Sequence, residues 1–176
     1  QLSPGGYEKA FATLQEAIRA GDIYQANLTF PLAGNFTGDP VGLYAALRPA
    51  AQAGYGGVIF DGSHWLLSLS PELFISLKGR EAKAKPMKAT RPRGSDGASD
   101  ATMAAELAGS VKDRAENLMI VDLVRNDLGR VCETGSVRGP ELMAIEEYAS
   151  VFQLVSTVTG QLRARSDCFD LVRAAF

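Results

Sequence analysis

At 176 residues, with 46% hydrophobic and 22% charged side chains, the chain has the length and balance of one ordinary soluble domain with a core to bury. A net charge of -2 and a pI near 5.5 exclude a bulk attraction to nucleic acid or anionic membranes, and neither is expected as a partner. Cys132 and Cys168 lie far apart with no CxxC or histidine-paired spacing, which argues against a zinc site or disulfide scaffold and fits a reduced, cytoplasmic setting.

Tyr7, Ala10, Phe11, Leu14 and Ile18 share one helical face, and Gly21 is a natural stop, so residues 7–20 are expected as an amphipathic helix. From Ile23 to Leu32 apolar and polar residues alternate with the period of a strand, whose polar face, Gln25, Asn27 and Thr29, would line a cleft. A short helix follows at about residues 41–48. Residues 55–87 then read as consecutive antiparallel strands broken at Asp61-Gly62, Ser70-Pro71 and Lys78-Gly79, with Glu72 just after a proline corner. Arg91 to Ser99, rich in Gly, Ser, Asp and Arg, is expected as a mobile loop. Ser110 is a helix N-cap, opening a helix through Leu128 that Gly129 closes, with Ala115, Leu118, Met119, Val124 and Leu128 as its buried stripe. Lys112, Glu116 and Asn117 fall at polar positions of its first two turns. Strands at about 136–146 and 149–162 precede a final helix capped by Ser166 or Asp167.

The chain starts directly before a helix and stops at Phe176 inside an apolar helical pattern, so a piece of something longer is expected. Taken alone, Lys88 would be a solvated strand lysine, Glu72 and Glu116 surface carboxylates, and His64 a surface residue beside a turn.

Longer blocks say more. Residues 21–28 (GDIYQANL), 68–74 (SLSPELF), 86–94 (PMKATRPRG), 112–129 (KDRAENLMIVDLVRNDLG), 135–137 (GSV) and 151–157 (VFQLVST) resemble, in order, the chorismate-utilising enzymes. The resemblance implies an α+β fold: residues 1–176 would be the first half of the chorismate-binding (anthranilate synthase component I-like) domain, large antiparallel sheets with outer helices. The block that completes that domain would lie after Phe176. It also implies magnesium as cofactor and chorismate as substrate. Members that add water carry a lysine base at the position of Gln25, so an amine nucleophile is favoured here. Anthranilate-forming members carry alanine at the position of Lys88, whereas the branch forming 4-amino-4-deoxychorismate, on the route to para-aminobenzoate and folate, carries lysine.

In that branch the lysine amine bonds to carbon 2 of the ring as the 4-hydroxyl departs; ammonia from a partner glutaminase then attacks carbon 4 and expels the lysine. Lys88 would be this nucleophile, acting as a neutral amine through desolvation or positive charge from Arg91, Arg93 or Mg2+. Glu72 would be the general acid that protonates the departing hydroxyl, and Glu116 a magnesium ligand. Thr90, Gln25, Asn27 and Gln153 would contact substrate; Gln153 stands where other members have histidine, and Ala89 where they have glycine. Two alternatives stand: an anthranilate synthase component I with an unusual lysine, and a chorismate-binding fragment without turnover.

Overall fold

The computed structural model describes residues 3–176, which divide into two compact units, residues 3–39 and 40–176. In the first, helix α1 (Pro4–Ala20) begins where the Ser3 hydroxyl accepts a hydrogen bond from the Gly6 N–H at 3.1 Å and Pro4 fills the first turn. It ends at Gly21, whose left-handed φ of 81° a residue with a Cβ would resist. Tyr7 stacks on Phe11 and meets Phe30 edge-on, yet Tyr7, Phe11 and Ile18 all stay substantially exposed. The strand expected at Ile23–Leu32 is not formed. Alternation is necessary but a ladder partner is also needed, and none pairs with this stretch among the described residues; Tyr24 and Leu32 are almost fully exposed.

The second unit opens with helix α2 (Pro40–Ala51) and a separate antiparallel hairpin, β1 (Gly57–Phe60) with β2 (Trp65–Ser68). Asp61 closes the hairpin: its carboxylate accepts from the N–H groups of Ser63 and His64 at 2.8 and 2.7 Å, and His64 is exposed as expected.

The main sheet holds β3 (Leu73–Lys78), β4 (Glu81–Lys85), β5 (Met87–Pro92), β6 (Arg138–Glu147) and β7 (Val151–Gln161), all pairs antiparallel. β7 is the hub. β4 and β5, parted only by Pro86, pair in succession along one edge of β7, and the Pro86 carbonyl accepts from the Ser156 N–H at 3.0 Å, so the ladder continues across the break. β6 runs along the other edge and β3 pairs with β4.

Even-numbered side chains of β7 face the helices. Val158 packs with Val121 and Leu128 of helix α4 (Val111–Val131) and Leu171 of helix α5 (Cys168–Ala175), while Phe152 and Leu154 pack with Leu107 of helix α3 (Gly97–Gly109). Asp167, one of the two caps expected, starts α5 with a reciprocal capping box. Cys132, buried beside this core, and Cys168, exposed, are both free thiols. Among the described residues no helix is long and apolar enough to cross a membrane.

Three further expectations need correction. The stretch Arg91–Ser99 is no free loop: Arg91 and Pro92 end β5, and Asp96 caps α3, accepting from the N–H groups of Ala98 and Ser99. Helix α4 continues through Gly129 to Val131, because tertiary packing of Leu128 and Val131 outweighs the helix penalty of one glycine. Its buried stripe is Asn117, Val121 and Leu128, while Leu118 and Met119 point outward.

Candidate active site

Glu72 is set by the corner before β3. The Ser70 hydroxyl accepts from the Glu72 N–H at 3.2 Å and donates to its carbonyl at 3.1 Å, a local turn that leaves the side chain reaching toward β5. There Glu72 Oε1 accepts from the Met87 N–H at 3.1 Å. One residue on, Lys88 is partly buried and opposes Leu154 of β7.

The next residue breaks the ladder. Lys88 pairs with Leu154 and Thr90 with Gln153, so Ala89 is the extra residue of a β-bulge, and its φ is 63°. A glycine would sit in this left-handed backbone without strain. The Ala89 methyl instead packs against the cluster of Leu107, Phe152 and Leu154. The bulge sets where the following side chain lands: Thr90 Oγ1 donates to Gln153 Oε1 at 3.1 Å. By the pleat of β7, Gln153 lies on the face away from the helices. Its partner on β6 is Glu146, whose carboxylate takes a 2.5 Å bond from Lys85 Nζ and a 2.8 Å bond from the Tyr148 hydroxyl.

Helix α4 supplies the remaining carboxylates. Its N-cap Ser110 accepts from the Asp113 N–H at 3.3 Å, as the sequence predicts. The Asp113 carboxylate is held below the usual range by the Ser110 hydroxyl and by Arg91, whose Nη2 lies 3.0 Å away. Glu116 is about one-third exposed, 3.9 Å from Lys112. Asn117, adjacent to it, is fully buried: its Nδ2 donates to the Leu154 carbonyl at 3.2 Å, and its Oδ1 accepts from Ser156 Oγ at 2.5 Å.

The two arginines expected to press positive charge on Lys88 are otherwise engaged. Arg91 bridges Glu106 and Asp113, and these hydrogen bonds hold its guanidinium above its ordinary value. Arg93 clasps Asp100, which also accepts from the Gly94 N–H at 2.6 Å, and lies 4.7 Å over the Phe152 ring. A Cβ at Gly94 would collide with the backbone of Ser99 and Asp100, so only glycine allows this approach. Both guanidiniums are matched by carboxylates rather than turned toward Lys88 as unpaired charge.

Among the described residues no three His, Cys, Asp or Glu side chains gather into a metal cage. Magnesium, however, is commonly held by one or two carboxylates together with substrate oxygens, and the partly exposed Glu116 fits such a share.

Glu72, Lys88, Thr90 and Gln153 thus follow one another along β5 and its neighbours, and Glu116 sits on the helix turn that Asn117 ties to Leu154. Gln25 and Asn27 are exposed residues of the first unit. Asn117 carries a role that the sequence reading missed. The signal was there: it falls four residues before Val121 and eleven before Leu128, on the stripe that otherwise holds apolar residues.

The family model for "chorismate binding enzyme" matches residues 1–176. The chain is 45% identical to aminodeoxychorismate synthase component 1 of Klebsiella aerogenes, over 99% of its own length and 39% of that relative's. It is 46% identical to aminodeoxychorismate synthase of Streptomyces pristinaespiralis, over 97% of its length and 24% of that relative's. Among solved structures, anthranilate synthase component I from Streptococcus pneumoniae TIGR4 superimposes with a TM-score of 0.82 at 28% identity, covering 99% of this chain and 38% of that one. The chain therefore spans well under half the length of these relatives.

Proposed function

The chain belongs to the chorismate-binding enzymes, and from that premise we propose that residues 1–176 supply the first part of a catalytic domain that aminates chorismate at carbon 4, using Lys88 as a covalent nucleophile. The observation that carries this reading is the place of Lys88. It follows directly on the Met87 N–H that anchors Glu72, and it opposes the Leu154 carbonyl that holds the residue next to Glu116.

The amine nitrogen of Lys88 bonds to carbon 2 of chorismate while the ring double bond shifts and the carbon–oxygen bond at carbon 4 breaks. Glu72 gives its proton to that oxygen, which leaves as water, and is left ionised. Ammonia then bonds to carbon 4, the double bond returns, and the Lys88 nitrogen departs with its electron pair; the proton shed by the new ammonium restores the acid. Thr90 and Gln153 orient the substrate through hydroxyl and amide. Magnesium, held in part by Glu116, would pin a substrate carboxylate. The ammonia comes from a glutaminase partner, and the two free thiols suit a reducing cytoplasm.

The test is Lys88→Ala in the full-length protein. Chorismate amination should fall by at least about a thousandfold, on the scale of losing a covalent nucleophile. Mass spectrometry of trapped wild-type enzyme should find a chorismate-derived adduct on Lys88. Unchanged turnover sinks the lysine role. The match to an anthranilate synthase structure favours a second reading, and product fluorescence separates the two, because anthranilate fluoresces and forms only when pyruvate is eliminated. Calorimetry with chorismate and Mg2+ on residues 1–176 addresses the third, a binding fragment without turnover.

A further inference from the structure

Asn117 is out of character with its surroundings. The buried face of α4 is otherwise Val121 and Leu128, with Val124 packed beside them, and an apolar residue at 117 would extend it with no polar group to satisfy. The amide is instead fully buried, with both ends engaged on β7: Nδ2 on the Leu154 carbonyl, Oδ1 on the Ser156 hydroxyl. Ser156 passes the connection on. Its hydroxyl accepts from the Met143 N–H at 2.9 Å, and its own N–H bonds the Pro86 carbonyl.

These contacts meet two irregular strands at once. Ala89 on β5 and Met143 on β6 both have left-handed φ, 63° and 58°, and both sit where the pairing with β7 shifts register. They flank β7 at the residues Asn117 grips. Such bulges persist only where neighbouring groups define them.

We propose that Asn117 is a positioning residue for the amination reaction, holding the Lys88–Thr90 bulge and the Glu116 turn of α4 in one fixed geometry through the Leu154 carbonyl. The inference rests on the reading of Lys88 and Glu116 given above. An amide at this point acts as a register pin between helix and strand, a use in which a buried polar group selects one arrangement among several that apolar packing would tolerate.

The experiment compares Asn117→Leu and Asn117→Asp in the full-length protein. The first keeps an apolar stripe; the second matches the volume and keeps an oxygen for Ser156 but loses the donor to Leu154. Both should lower kcat about 10- to 100-fold, the penalty of a misplaced reacting group, with the KM for chorismate moving less than about threefold. The rate at which a chorismate-derived adduct appears on Lys88 should fall by the same factor. Ser156→Ala, which leaves the Leu154 bond intact, should cost less than either. If both Asn117 variants fold and retain kcat within about threefold, or if neither folds, the residue is structural and the proposal is overturned. Unchanged turnover in Lys88→Ala would instead remove the reading beneath it, so the two failures are distinguishable.

Discussion

Glu72 accepts a hydrogen bond from the backbone N–H of Met87 at 3.1 Å, which anchors the proposed general acid to the residue immediately before the proposed nucleophile. Acid and amine are therefore positioned by the same strand.

That bond makes Glu72→Gln a discriminating variant. Its side-chain carbonyl can still accept from Met87, so the melting temperature should stay close to the wild-type value. No proton is available for the leaving hydroxyl, so kcat for amination should drop by about 10²- to 10⁴-fold. Glu72→Ala should lose the anchor as well and fall at least as far. Steady-state kinetics alongside thermal melts check this; a Gln variant with wild-type kcat would remove Glu72 from the chemistry.

Ala89 balances two opposing effects. A left-handed backbone costs a residue with a Cβ about 1–2 kcal/mol, which Ala89→Gly would relieve. The same change removes a methyl packed on Leu107, Phe152 and Leu154, worth about 0.8 kcal/mol. The net stability change by urea unfolding should therefore lie within about 1 kcal/mol, with activity retained. Ala89→Val places a β-branched side chain where φ is positive and should destabilise by more than about 2 kcal/mol and reduce kcat, since Thr90 would lose its register with Gln153. A valine variant as stable as the parent would contradict the bulge geometry.

Glu146, Lys85 and Tyr148 predict a pH profile. Burial works against charge on Glu146, but the hydrogen bonds from Lys85 and Tyr148 and the Lys85 charge outweigh it and hold the carboxyl below its ordinary 4.5. The bond to Glu146 holds Lys85 above 10.5, and burial with the same carboxylate pushes the Tyr148 hydroxyl upward. The Glu146 contribution is then complete above pH 4.5 and lost as pH falls through its folded value, because the unfolded chain takes up the proton first. Lys85 contributes fully below pH 10.5 and loses that contribution as pH rises through its own folded value. Glu146→Gln should cost about 1–3 kcal/mol at pH 7 and flatten the fall in melting temperature between about pH 5 and 3. Equal acid slopes in the two proteins would show that the pair does not couple to folding.

The tertiary structure altered the sequence reading where contacts are distant. Asp96 and Ser99 form a capping box, yet the Gly- and Ser-rich run around them reads as loop; what orders it is Arg93 reaching Asp100 and the Tyr148 carbonyl, 55 residues away in sequence. The alternation at Ile23–Leu32 has the period of a strand but no ladder partner among the described residues.

Signals that act within a few residues were legible in the sequence alone: Ser110 and Asp167 as caps, Gly21 as a stop, the turns at Asp61 and Lys78, and the blocks around Glu72, Lys88 and Glu116 that mark the family. Only the tertiary structure could decide which face of α4 turns inward, that Ala89 takes a left-handed bulge, and that Asn117 grips β7, because helical periodicity defines a stripe without saying what lies opposite it. The partner strand is chosen by packing between segments far apart in the chain, and that packing placed a buried amide where the local pattern allowed an exposed one.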